Sequence, residues 1–350
     1  MLRLRQASVG VVLALVVSSA VMPLARAADQ PGEPCSTEGF IQNLGTGFLV
    51  CTNGVWQASS TPPPPPLGTP PAGAGAGSTA KVAKIFKPVG TALSQDTFGS
   101  TGKQVADATA FRLPDGRVRI FAFVNVTTGL PGLRSATSTT KAGTSFVSDG
   151  TDPFPGTPVG QPRAFPLGGN SLRLFFAEAG TVQTAVSSDG GVTFTRQGPV
   201  ITTEQAGFEP GVISVIKHKG VYRAYFSNLE KPGVHAERVM RTATSTDLMT
   251  WTMGPSVVAA GGSHPFAVTD KTGRVAIYYA ADRGSTYGIW VSTSKDGINF
   301  SKEKLVVVGG GDADIIRAAS GGGYLMYYGA DLGGNNFGIK VAKSIGKVIP

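Results

Sequence analysis

Five short polar clusters recur about fifty residues apart: Asp107-Ala108, Gln161-Pro162-Arg163, Glu209-Pro210, Ser263-His264-Pro265 and Asp312-Ala313-Asp314. Brought together, their side chains could do acid–base work. Cleaving a glycosidic bond needs two carboxyls placed across it, one protonated and one activating water or attacking directly. Asp107 and Glu209 are the candidate catalytic pair. His264 is one of three histidines in the chain and the one that stands at such an opening. It could donate a proton, or join Asp107, Glu209 and the Asp312/Asp314 pair around a central ion. Calcium with mixed oxygen ligands suits that set, a hydrogen-bonded channel histidine is the plainer alternative, and no cofactor is otherwise required.

A second polar set follows at the ends of later apolar runs: Asn125, Glu178, Asn228, Asp282 and Asp331. Two concentric sets suit a sugar, which needs many hydrogen-bond partners, with Tyr287, Asn335, Asn336 and Phe337 available for stacking and polar contacts. The substrate-binding candidates are Gln161, Arg163, Glu178, His264, Asp282, Asp314 and Asp331. The plainer reading is that such residues hydrate a channel and cap strand ends.

The elements that must hold these clusters form a repeat. Each cluster opens an apolar strand, a turn follows, and a second strand carries paired large residues, as in Arg173-Leu174-Phe175-Phe176 and Leu325-Met326-Tyr327-Tyr328. Stepping from Phe121 through Phe175, Tyr225 and Tyr278 to Tyr327 gives intervals of 54, 50, 53 and 49 residues, the period of one propeller blade. A third strand, and in most repeats a fourth, completes the unit. The expected fold is an all-β, five-bladed β-propeller over residues 81–350. The fifth repeat ends at Pro350 without a fourth strand, so the β-prone stretch Val82-Ala83-Lys84-Ile85-Phe86 is expected to close the ring and remove its open edge. Strand direction puts the cluster openings on one face and the third-to-fourth strand turns on the other.

Those turns carry a resemblance. Ser187-Ser188-Asp189-Gly190-Gly191-Val192-Thr193-Phe194 resembles the Asp box of bacterial sialidases and other secreted propellers. Shorter relatives run from Ser245 through Asp247 to Trp251 and from Ser294 through Asp296 to Phe300, and a degenerate one has Lys141 in place of the Asp. Ser187, Asp189, Gly191, Phe194, Asp247, Trp251, Asp296 and Phe300 are read as structural, because turn hydrogen bonds and aromatic packing explain them. Phe111-Arg112-Leu113-Pro114 is similar to a sialidase motif but reads more simply as a hairpin leading into Pro114-Asp115-Gly116.

Five repeats and the Ser-x-Asp-Leu-x-x-Trp form also resemble the five-bladed glycosidases of the arabinanase, xylosidase and invertase type, over the whole C-terminal domain. That resemblance implies an Asp base opening blade one, matched by Asp107, and a carboxylate opening blade three that tunes the acid, matched in place by Glu209. It further implies a Glu general acid at the opening of blade four, where this chain has Gly262-Ser263-His264-Pro265. The acid is unassigned, with His264, Glu178, Asp282 or Asp314 as substitutes. Three functions are therefore expected to compete: glycoside hydrolysis, non-catalytic glycan binding or adhesion, and protein interaction through a propeller face.

The first 27 residues, with Arg3, Arg5, an apolar run and Ala25-Arg26-Ala27, read as a signal peptide, so secretion is expected. In residues 28–58, Cys35 and Cys51 are expected to form a disulfide stapling a small hairpin module that could tether the protein to a cell surface. Residues 59–80 form a Pro- and Gly-rich linker. Removing the first 27 residues takes the formal charge from +9 to +6. The scattered Lys and Arg residues argue against a nucleic-acid partner, while attraction to acidic glycans stays open. No later run is long and apolar enough to span a bilayer. The chain lacks G-x-S-x-G, P-loop and C-x-x-C patterns, which removes the corresponding hydrolase, nucleotide and redox readings.

Overall fold

The structure, a computed structural model, describes residues 41–43, 48–52, 55–59, 81–99, 104–125, 131–157, 159–229, 238–258, 261–284, 286–319, 322–334 and 336–350. The expected signal peptide, Cys35, linker residues 60–80 and Asn335 lie outside the described residues. Contacts divide the chain into two compact units, Met1–Thr61 and Pro62–Pro350. In the first, β1 (Ile41–Asn43), β2 (Phe48–Thr52) and β3 (Val55–Ser59) form an antiparallel meander. The expected Cys35–Cys51 bond has one end outside the described residues.

The second unit consists of five four-stranded antiparallel sheets, which makes it a five-bladed propeller. Blade one is β5 (Val105–Arg112), β6 (Val118–Val124), β7 (Gly132–Ser138) and β8 (Phe146–Ser148). Blade two is β9 (Gly160–Gly168), β10 (Ser171–Glu178), β11 (Thr181–Ser187) and β12 (Thr195–Thr202). Blade three is β13 (Pro210–His218), β14 (Val221–Asn228), β15 (Met240–Ser245) and β16 (Thr252–Ser256). Blade four is β17 (Ser263–Thr269), β18 (Val275–Arg283), β19 (Thr286–Ser294) and β20 (Lys304–Val308). Blade five is β21 (Gly310–Arg317), β22 (Tyr324–Gly333), β23 (Asn336–Ser344) and, from the other end of the propeller, β4 (Phe86–Leu93).

An N-terminal segment thus closes the ring as expected, but the strand lies further along than Val82–Phe86. Residues before Phe86 dock instead of pairing. Ala83 N–H donates to Leu305 O in blade four, Ile85 is buried, and Ile85 O accepts from Ile345 and Gly346. The apolar character of that stretch reflects this docking. β4 itself pairs with β23 and carries Pro88 opposite Ala342, which an edge strand tolerates because it leaves no ladder donor missing on its paired side.

One contact locks each blade to the next. The second-strand aromatic of a blade packs edge-to-face on an aromatic of its neighbour: Phe121 on Phe194, Phe175 on Trp251, Tyr225 on Phe300, Tyr278 on Phe86 and Tyr327 on Phe146, with centroids 5.6–6.3 Å apart. All five second-strand rings are fully buried. Each contributes about 1.5–3 kcal/mol through burial and about 0.5–1.5 kcal/mol more through the edge-to-face geometry. The tyrosines also donate their hydroxyls to neighbouring backbone, Tyr225 to Gly297 O, Tyr327 to Gly143 O and Tyr278 to Val348 O.

In three of the five contacts a Ser-x-Asp turn supplies the receiving aromatic, Phe194, Trp251 or Phe300. Ser187 Oγ donates to Asp189 Oδ1 and accepts from Gly191 N–H, while Asp189 accepts from Val192 N–H, Thr193 N–H and the Thr193 hydroxyl. Gly191 has φ +85°, and a Cβ there would run into the Phe121 ring. The same pattern recurs from Ser245 to Asp247 and from Ser294 to Asp296. Strand register puts these turns at the opposite end of each sheet from the polar openings.

Candidate functional site

Every inner strand begins with a β-bulge. The ladder skips a residue between Ala106 and Thr109, Gly160 and Arg163, Pro210 and Ile213, Ser263 and Phe266, and Gly311 and Asp314. In four blades the first bulged residue is left-handed and is not glycine: Asp107 (φ 51°), Gln161 (φ 50°), His264 (φ 52°) and Asp312 (φ 54°). That conformation costs an L-residue about 1–2 kcal/mol, and strain repeated at one position marks a site to which the fold has committed. Pro162 and Pro265 follow two of these residues, where the missing N–H suits an unpaired bulge position.

The bulges aim these four side chains at one another across the channel. His264 Nε2 lies 3.6 Å from Asp107 Oδ1 and 3.2 Å from Gln161 Nε2, and His264 Nδ1 lies 3.3 Å from Asp312 Oδ1. His264 and Asp312 are buried and Asp107 is largely so. One ligand atom from each of Asp107, His264 and Asp312 falls within 4.8 Å of the others. Nδ1 of His264 and Oε1 of Gln161 are buried at this level and make no hydrogen bond. Buried polar atoms of that kind call for a partner. Two carboxylates, an imidazole and a carboxamide form a mixed N/O donor set that suits Mn²⁺, Ca²⁺ or Zn²⁺, and the 3.6 Å between His264 Nε2 and Asp107 Oδ1 matches one edge of a metal polyhedron with bonds of about 2.0–2.4 Å. The residues present fit a divalent cation. Asp107 and Asp312 face opposite ring nitrogens of His264, so His264 would give a cation one nitrogen, and the carboxylate facing the other nitrogen would steady the ring with one oxygen and reach the cation with its second.

Below this ring, Arg163 and Asp314 are both buried, 3.9 Å apart. Asp314 accepts from the Thr109 hydroxyl. Burial pushes its carboxyl up to about 6, against the opposing pull of the Arg163 charge and the Thr109 hydrogen bond. The guanidinium of Arg163 donates to Ala108 O and Ala313 O and lies over the Phe266 ring. Arg163 and Asp314, expected to bind substrate, are thus enclosed in the wall beneath the ring.

Glu209 is not at a bulge. Blade three's bulge falls on Gly211-Val212, a Cβ on Gly211 would sit 2.7 Å from Gln161 Oε1, and the Glu209 side chain instead lies against Gly180 of blade two. Glu178 is held by Arg196 in a forked ion pair. Asp282 pairs with Arg238 at the exposed rim, and exposed Asp331 caps its own hairpin through Gly333 N–H. The structure therefore brings together Asp107, Gln161 and His264 and, of the expected Asp312/Asp314 pair, Asp312 alone. A period-two strand presents Asp312 and Asp314 on one face, and only the bulge between them separates their roles. His218, which its flanking Lys217 and Lys219 would place at the solvated surface, is buried with Nε2 2.9 Å from Gly273 O in blade four.

The sequence matches no family model and no curated protein. Solved structures do share the fold. A thermostable family-43 glycoside hydrolase superposes with a TM-score of 0.55 at 10% identity, over 72% of this chain and 96% of its own. The catalytic domain of a family-62 α-L-arabinofuranosidase from Coprinopsis cinerea gives 0.56 at 12% identity, over 77% and 99%. An N-acetylgalactosamine deacetylase from F. plautii, solved with blood group B trisaccharide, gives 0.53 at 13% identity, over 77% and 96%. At these identities the likeness establishes the five-bladed fold that the chain shares with glycoside hydrolases of the arabinanase and xylosidase type. Among the described residues no helix is long and apolar enough to cross a membrane.

Proposed function

We propose that this is a carbohydrate-directed propeller that takes a glycan at the bulge-lined mouth of its channel and works on it through a divalent cation held by Asp107, His264 and Asp312. The observation that carries this reading is the convergence of those three side chains from three blades at strained bulges. The cation would supply Lewis-acid and water-activating chemistry. Asp107 and Asp312 would balance its charge, His264 would provide one nitrogen, and Gln161 could point its carbonyl inward by turning its amide. Paired-carboxylate cleavage has less support, because blade three offers Gly211-Val212 where the pair would need Glu209. The fold neighbours favour a sugar ligand, and since they include both an arabinofuranosidase and a deacetylase, they leave the bond to be broken open. The features of residues 1–27 favour export, and the N-terminal module would serve as a tether.

A second reading rests on the 3.3 Å approach of His264 Nδ1 to Asp312 Oδ1. A small movement would make it a hydrogen bond, and Asp312 would then orient His264 as a proton-transfer group aimed at the channel.

The test is product release, as reducing sugar or acetate, from arabinan, xylan, fructan, mannan, sialylated and N-acetylated oligosaccharides, with and without chelator, beside Asp107→Asn. Release lost with chelator and in the variant supports the cation reading. Release that survives chelator but is lost in His264→Ala supports the second reading. Neither product nor glycan capture on any member of the panel would overturn a carbohydrate role.

A further inference from the structure

We infer that Arg163 is a positioning residue for this site, setting the separation of the Asp107 and Asp312 carboxylates through the backbone that carries them. The inference rests on the cation reading of the ring. Arg163 belongs to blade two, yet Nη1 donates 3.0 Å to Ala108 O in blade one and Nη2 reaches Ala313 O in blade five at 3.4 Å. The guanidinium also lies 5.7 Å from the Phe266 ring centroid in blade four. A side chain that touches three other blades lies across the channel. Ala108 and Ala313 are the second residues of the bulges whose first residues are Asp107 and Asp312. Turning the first residue left-handed swings the next carbonyl out of the ladder, and such a buried acceptor needs a donor. The planar fork of Arg can serve two carbonyls at once, which a lysine ammonium on a single flexible stem does poorly. The guanidinium thereby fixes both bulges against each other.

Charge alone predicts the opposite effect. A cation buried near the ring repels a bound cation, so removing it should tighten metal binding. If Arg163 acts through geometry, its removal loosens the two carboxylates and weakens binding, as loss of an outer-shell partner does. The sign of the change separates the two roles.

The experiment is calorimetric titration of the full chain with Mn²⁺ alone, comparing wild type, Arg163→Lys and Arg163→Met, with the melting temperature of each metal-free protein measured alongside. The expected result is one site in the wild type and an affinity lower by about 10–100-fold in both variants. Weakening in Arg163→Lys, which keeps the charge, identifies the fork as the cause. Unchanged or tighter Mn²⁺ binding in a folded variant overturns the inference while leaving the cation site standing. Failure of both variants to fold also overturns it, since Arg163 would then hold the ring and not the site. No Mn²⁺ binding by the wild type would remove the cation reading on which the inference depends.

Discussion

His264 approaches Asp107 to 3.6 Å although blade five stands between their blades in the ring. The contact spans the channel, so its geometry depends on closure of the whole propeller and on the bulges that tilt each side chain inward. Neighbouring inner strands are pinned where they must be for this to hold: the Thr109 hydroxyl accepts from Ala164 N–H and the Ser214 hydroxyl from Ala267 N–H, each across a blade boundary. The candidate site is a property of the ring, assembled from positions that no single blade brings together.

Gly211→Ala should disturb this site without altering any proposed ligand. The new Cβ would stand 2.7 Å from Gln161 Oε1, which can move, and 3.1 Å from Leu229 Cα, which is backbone. Overpacking of this kind costs about 1–3 kcal/mol. Thermal unfolding should show the loss, and Mn²⁺ affinity should change with it. An unchanged melting temperature would mean that blade three has slack which the structure does not show.

Asp189→Ala should lower stability by about 1–3 kcal/mol, because several backbone and hydroxyl donors in one turn lose their shared acceptor. Chemical denaturation should give a lower midpoint at unchanged slope. Activity per folded molecule should stay the same, since the turn lies at the far end of the sheet from the ring.

Acid should destabilise the propeller through these same turns. Backbone N–H groups of Thr250 and Met249, with the Ser245 hydroxyl, hold the Asp247 carboxyl down to about 2. The Asn299 and Ile298 N–H groups hold Asp296 well below the usual range. At Asp189, burial works upward but is outweighed by the Thr193 and Ser187 hydroxyls and backbone donors. A lowered carboxyl pKa contributes stability that is fully present above the unfolded value of about 4 and lost as pH falls through the folded value. The contribution of these turns to the melting temperature should therefore be constant above about pH 5 and be lost between about pH 4 and 2. Asp247→Asn should start lower and fall less steeply, whereas parallel curves would show that this carboxylate is not linked to folding.

The blades were legible in the sequence because their signals are local. Period-fifty aromatics such as Phe175 and Tyr327, and turns such as Ser187–Phe194, announce themselves within a few residues. The ring was legible only in part. That Asp107 and His264 open inner strands could be read, but the left-handed bulge that aims them arises from register against the second strand, which no local pattern encodes. For that reason Glu209 looked equivalent to Asp107 although blade three's bulge falls two residues later, on Gly211, and the pair Asp312/Asp314 could not be divided into the residue that reaches the ring and the one beneath it. His218 misled in a different way, since flanking Lys217 and Lys219 suggest solvent while the imidazole is enclosed beside Gly273.

Tyr327→Phe should cost about 1–3 kcal/mol despite the small change in volume, because the Gly143 carbonyl would keep its burial and lose its donor. The same substitution in a propeller already carrying Phe146→Leu, which removes the ring packed on Tyr327, should give a non-additive double-mutant cycle. Additive losses would show that the hydroxyl and the aromatic contact act independently.

The most direct test of the central claim is a titration of the wild-type chain with Mn²⁺, Ca²⁺ and Zn²⁺, read by calorimetry and by thermal shift, beside His264→Ala and Asp312→Asn. One tight site for at least one of these ions is expected. At a hundredfold excess over its dissociation constant the gain is about 2.7 kcal/mol, or a rise of roughly 5–10 °C at about 2–4 °C per kcal/mol for a domain of this size, and both variants should abolish it. Absence of binding and of thermal shift for all three ions, or a wild-type site that persists unchanged in His264→Ala, would contradict it.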